Sequence, residues 1–86
     1  MTQPAAFFDA LVREILSNIA PEADTDALGG NADLRDGLDI DSVDFLNFVA
    51  SIYERIGVDI PERDYPTLST VDGCVDYLSK ATTITP

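Results

Sequence analysis

An all-α fold is predicted for this 86-residue chain: a small antiparallel four-helix bundle, three main helices plus one short helix, with a long first loop. Two observations carry it. Apolar residues recur at spacings of three and four in three separate stretches, and no stretch alternates as a half-buried strand does. Between those stretches stand Pro21, Gly29, Gly30, Gly37, Gly57, Pro61 and Pro66, so the breaks fall where helices should end.

The first helix is expected over about residues 5–19. Pro4 suits its first turn. Phe8, Leu11, Val12, Ile15, Leu16 and Ile19 form its apolar side, opposite Asp9, Arg13, Glu14 and Asn18, and Pro21 closes it. Residues 20–40 are a connection anchored by Leu28, Leu34, Leu38 and Ile40, with a short helical turn expected from Ala32 to Asp36. The second main helix is expected from Ser42 to Ile56. A helical wheel gives it a core face of Phe45, Leu46, Val49, Ile52, Tyr53 and Ile56, with Phe48 at the edge. Gly57 stops it. Glu62 to Tyr65 should form one turn before Pro66. Thr70 should cap the last helix, about 71–80, which turns Val71, Cys74, Val75 and Leu78 inward. The β-branched, proline-ended tail, 82–86, is expected to fray, so the chain is expected to be one domain with its core in about 5–80.

Composition narrows the function. Sixteen acids against five bases leave a net charge of −11. Nucleic acid and anionic membrane surfaces attract cationic proteins, so neither is an expected partner; partners with basic patches are. No run of residues is long and apolar enough for membrane insertion, and no basic-then-apolar leader opens the chain. A lone Cys74 has no disulfide partner within the chain and fits a reducing, cytoplasmic setting. Catalysis is not expected, because there is no histidine to activate a serine or the cysteine. Cys74 sits among Val71, Val75 and Leu78 at helical spacing and reads as a core thiol. No metal site is expected. The aspartates around Gly37 fail every calcium-loop register: with Gly37 at position 6, Ala32 falls at position 1 and Val43 at position 12.

One stretch carries more than packing: Gly37-Leu38-Asp39-Ile40-Asp41-Ser42-Val43-Asp44-Phe45-Leu46. It places a serine in the first turn of a helix among carboxylates. Asp41 and Ser42 are both favoured caps, and Asp41 with Asp44 resembles a capping box. The simplest reading of Ser42 is that it only caps.

The run Leu38-Asp39-Ile40-Asp41-Ser42-Val43, followed by Ile56-Gly57-Val58-Asp59-Ile60-Pro61 and Leu68-Ser69-Thr70-Val71-Asp72, resembles the acyl carrier protein family over most of the chain. The resemblance implies that Ser42, preceded by Asp41, is esterified to 4'-phosphopantetheine by a phosphopantetheinyl transferase that draws on coenzyme A. The thiol of that arm would carry acyl intermediates as thioesters for fatty acid, polyketide or specialised lipid biosynthesis. It further implies a monomer that visits acyl-transferring or synthase enzymes with basic patches. The docking surface would be the arc Val43, Asp44, Asn47, Ser51 and Glu54, and the acyl chain would have Phe45, Phe48, Tyr53 and Ile60 as neighbours. The family's glycine two residues before the Asp-Ser pair is Asp39 here; Asn47 and Tyr53 stand where acids are common on the docking helix, and Arg55 adds a positive charge. A peptidyl carrier and an unmodified acidic interaction module are the alternative readings.

Overall fold

The computed structural model describes residues 4–83 and is all-helical among them. Helix α1 spans Ala5–Ile19, α2 Leu34–Leu38, α3 Ser42–Ile56 and α4 Val71–Thr83, with a 3-10 segment at Glu62–Ser69. The predicted bundle is therefore present. The short pieces number two rather than one, α2 and the 3-10 segment. The bounds of α1 and α3 match those read from periodicity, while α4 runs three residues past the expected 80. Fraying was expected over 82–86; 82 and 83 instead continue α4, and 84–86 lie outside the described residues.

Helix α1 is the spine of the bundle, packing on α4 along one side and on α3 along the other; α4 also packs on the 3-10 segment. One core joins Phe8, Val12, Ile15 and Leu16 of α1 to Phe48 and Ile52 of α3, to Leu68, and to Val71, Cys74 and Leu78 of α4. Each such side chain withdrawn from water contributes ~1.5–3 kcal/mol. Val75, expected inward, is only half-buried.

The core face of α3 differs from the expected one. Phe45, Phe48, Val49 and Ile52 are buried and Ile56 packs partly against them, whereas Leu46 is 51% exposed and Tyr53 57%. Helix α3 is covered chiefly by α1, so only a narrow stripe is shielded. Phe48 moves from the edge to the centre of that stripe, and Leu46 and Tyr53 fall outside it.

The long loop is held by more than its apolar anchors. Leu34, Leu38 and Ile40 are buried and Leu28 partly so. Arg13, on the polar side of α1, donates from Nη1 to the carbonyls of Thr25 and Leu28 at 2.6 and 2.7 Å, while its Nε bonds Asp9 at 2.7 Å. Farther along, the Asp72 N–H donates to the Gly30 carbonyl at 2.9 Å, and Asp33 pairs with Thr70 in an isolated bridge. Together these contacts fix where α2 sits, and α2 leads directly into α3.

The 3-10 segment continues through Pro66 to Ser69 rather than stopping after one turn at Tyr65, with non-helical dihedrals at Leu68. Proline's fixed φ suits such a turn, and the buried Leu68 anchors it. Thr70 caps α4 as expected, its Oγ1 accepting from the Gly73 N–H at 3.0 Å.

Candidate functional site

The junction of α2 and α3 is built from local rules. Asp33 caps α2, accepting from the N–H groups of Arg35 and Asp36 at 2.9 and 3.1 Å. Asp39 ends α2 in the left-handed region, at φ 54° and ψ 43°. Aspartate tolerates that region better than most residues, so it fills the place of a glycine. Ile40 then buries, and the chain turns into α3.

Asp41, not Ser42, caps α3. Its Oδ1 accepts from the Asp44 N–H at 2.9 Å, and Asp44 Oδ2 accepts from the Asp41 N–H at 3.4 Å, so both halves of a capping box are present. Ser42 is the first helical residue. Its Oγ takes no part in capping; it is exposed and accepts a hydrogen bond from Arg35 Nη2 at 2.6 Å. The reading of Ser42 as a mere cap is thereby corrected: the job belongs to its neighbour, and the hydroxyl stands free of the helix.

Of the other residues singled out by sequence, Val43, Asn47 and Glu54 are exposed on α3, with Val43 64% exposed beside Ser42. Asp44 and Ser51 are half-buried, and the Asp44 carboxylate is engaged in the capping box. Leu46, Ala50 and Tyr53 are exposed as well. Val43, Leu46, Ala50 and Tyr53 thus follow one another at i, i+3, i+7 and i+10, an apolar strip on the solvent side of the helix. The wheel had assigned Leu46 and Tyr53 to the core. Arg35 was missed altogether as a site residue; the signal was its place as the only base between Glu22 and Asp44, against eight acids.

Two clefts flank the start of α3. One, about 280 Å³, is lined by Asp33, Arg35, Phe45, Tyr65, Pro66 and Ser69. The Phe45 and Tyr65 rings meet edge to face in its wall, centroids 5.5 Å apart. The other, about 410 Å³, lies among Ile19, Pro21, Glu22, Leu38, Ile40 and Asp44. Of the expected acyl neighbours, Phe45 alone borders the cleft on the Arg35 side. Phe48 and Ile60 are core, and Tyr53 is exposed.

These groups fit a phosphodiester. The Ser42 hydroxyl is exposed, it stands where the helix dipole favours an anion, and a guanidinium already touches it. Nothing in the arrangement makes Ser42 a nucleophile in its own right. Cys74 is no candidate either: it is fully buried, donates from Sγ to the Leu68 carbonyl, and burial pushes its thiol up to about 12. Among the described residues, no group of three or more potential ligands is placed to hold a metal, and no helix is long and apolar enough to cross a membrane.

Comparison with known proteins agrees with this geometry. The family model for the phosphopantetheine attachment site matches residues 10–78. The acyl carrier protein of Lactobacillus acidophilus is 30% identical over 57 residues, covering 66% of this chain and 71% of its own. That of Renibacterium salmoninarum is 34% identical over 65 residues, covering 76% and 75%. That of Acidothermus cellulolyticus is 40% identical over a shorter 47 residues, 55% and 56%.

A small helical bundle with an exposed serine opening a helix, matched along most of its length by phosphopantetheine-attachment sequences, defines a carrier rather than a catalyst. The chain belongs to the acyl carrier protein family. Phosphopantetheine is the group such a protein carries, and synthases and transferases are the kind of enzyme it serves.

Proposed function

We propose that Ser42 is the residue that receives 4'-phosphopantetheine, and that the loaded thiol carries acyl intermediates of fatty acid, polyketide or specialised lipid biosynthesis. The observation that carries this reading is the exposed Ser42 Oγ, released from capping by Asp41 and held by Arg35 at the first residue of α3. The other described serines offer no equivalent. Ser17 bonds its hydroxyl back to the Glu14 carbonyl, and Ser51, Ser69 and Ser79 are each partly buried.

A separate phosphopantetheinyl transferase supplies the arm from coenzyme A. The chain's own part is to present the hydroxyl. On modification the Oγ–H bond is replaced by an Oγ–P bond while the pyrophosphate P–O bond of coenzyme A breaks. Adenosine 3',5'-bisphosphate leaves, the hydroxyl proton passes to a base of the transferase, and the helix N-terminus then faces a phosphodiester anion. The surrounding acids oppose that anion, so their role lies in attracting basic partners. The free face of α3 is the proposed docking surface: Val43, Asp44, Asn47, Ser51 and Glu54, joined by Leu46 and Tyr53. An enzyme gripping it holds Ser42 at its own active site. A cytoplasmic monomer fits the single buried thiol.

Intact mass after incubation with coenzyme A and a broad-specificity transferase tests the reading. One added phosphopantetheine is expected on the wild-type chain and none on Ser42→Ala. Loading that survives in the alanine variant would refute it.

A further inference from the structure

The chain has five basic side chains, and four of them hold carboxylates. Arg13 meets Asp9 at 2.7 Å, Arg55 meets Glu14 at 3.2 Å, Arg63 meets Asp64 at 4.0 Å, and Lys80 meets Asp76 at 3.0 Å. Arg35 is the exception. It lies in the most acidic part of the sequence, yet among the described residues its guanidinium makes no ion pair within 4.0 Å. It donates instead to a neutral hydroxyl, Ser42 Oγ, at 2.6 Å. A hydroxyl is the weaker partner for a guanidinium, since bonds between two ionised groups are the strong ones.

The backbone of Arg35 is held on both sides. Its N–H donates to Asp33 Oδ1 at 2.9 Å, and its carbonyl accepts from the Asp39 and Ile40 N–H groups, the latter at 3.2 Å. The side chain therefore leaves a fixed base and reaches one particular oxygen. Arginine carries a fork of five N–H donors, and a single bond to Oγ leaves most of them uncommitted to protein atoms.

We propose that Arg35 is the phosphate clamp of the loaded protein, a positioning residue that grips the non-bridging oxygens of the phosphodiester once Ser42 carries the arm. The inference rests on Ser42 as the attachment residue. Esterification places those oxygens two bonds beyond the atom that Arg35 already touches, on the phosphorus joined to it. A planar fork suits two oxygens of one phosphate better than it suits a single hydroxyl. The helix N-terminus is poorly placed to do the work alone. The Asp44 N–H, one of its first-turn donors, is already taken by the Asp41 carboxylate, and that carboxylate itself repels the incoming anion. Arg35 is the base positioned to offset both.

The test compares apo and loaded forms of the wild type, Arg35→Gln, Arg35→Lys and, as a control, Arg55→Gln, with loading verified by intact mass. Two readouts are taken: the 31P resonance of the phosphodiester, and the change in melting temperature between apo and loaded protein. Arg35→Gln is expected to shift the 31P resonance and to make loading more destabilising than in the wild type. Arg35→Lys keeps the charge but loses the fork, so it should fall between the two. Arg55→Gln should match the wild type in both. Identical 31P resonances and identical apo-to-loaded differences in wild type and Arg35→Gln, with one arm attached to each, would overturn the clamp and leave the attachment reading standing. A wild-type chain that takes up no arm would overturn the attachment reading, and the clamp with it.

Discussion

Asp41→Ala isolates the division of labour at the start of α3. The main bond lost is the one from the Asp44 N–H to Asp41 Oδ1, at 2.9 Å; the return bond, at 3.4 Å, is long and adds little. Removing an N-cap of this kind costs ~0.5–2 kcal/mol. The loss of a carboxylate at the positive end of the helix dipole adds ~0.3–1 kcal/mol. Against this, one of the eight acids between residues 22 and 44 disappears and their mutual repulsion eases. Working at ~1 M salt, where the Debye length is about 3 Å, removes most of that opposing effect. The same salt screens the dipole contribution, so a net loss of about 0.5–2 kcal/mol, that of the cap itself, is then expected. For a domain of this size each 1 kcal/mol moves the midpoint by roughly 4–8 °C. Thermal unfolding followed by far-ultraviolet circular dichroism should show Asp41→Ala melting well below wild type. Asp41→Asn, which keeps the cap and loses the charge, should lie close to wild type. Ser42→Ala, which loses only an exposed contact, should stay within ~0.5 kcal/mol. The reasoning fails if Ser42→Ala is destabilised as much as Asp41→Ala, because Ser42 would then be the cap.

Three further outcomes are expected. Gly73→Ala should destabilise the fold by ~1–3 kcal/mol in chemical denaturation, although alanine is normally the better helix former, because the added methyl would collide with the Thr67 carbonyl oxygen and crowd Thr70 Oγ1. Cys74 should make stability fall with alkalinity: its thiol ionises near 9.0 when unfolded but only at about 12 when folded, so between those values the unfolded chain binds fewer protons. Urea midpoints compared with Cys74→Ala should show up to about 1.4 kcal/mol lost per pH unit in that window and no extra loss below it. On the proposed docking face, Leu46→Ala and Glu54→Lys should leave the circular dichroism unchanged yet slow transfer of the arm onto the chain, and the wild-type rate should fall as salt rises; wild-type kinetics in the double variant would place the docking surface elsewhere. Asp44 is avoided there because its replacement would also break the capping box.

Sequence showed the long helices well, because burying a stripe imposes a period that survives in the letters. The ends of α1 and α3 were legible from Pro21, Asp41 and Gly57, each of which stops or starts a helix for a local reason. Helix α2 was read two residues too early, at 32–36 instead of 34–38. Five residues carry no period, and its place is set by the Asp33 cap and by the bridge to Thr70, far along the chain. The core face of α3 was drawn too wide, since apolarity cannot say how much of a helix its neighbours will cover. Ser42 stood out as the proposed attachment residue because its neighbours follow a family pattern. The hydrogen bond from Arg35 was not legible, because it joins side chains seven residues apart across the left-handed turn at Asp39, which no periodicity announces.

Ser42 as the attachment point is tested most directly by fragmenting the loaded protein. Wild-type chain is incubated with coenzyme A and a transferase, digested, and sequenced by tandem mass spectrometry. A single modified peptide is expected, with the phosphopantetheine on Ser42 and unmodified side chains at Ser17, Ser51, Ser69 and Ser79. A modification found on any of those four, or an unmodified Ser42 in a chain that has gained the arm, would contradict it.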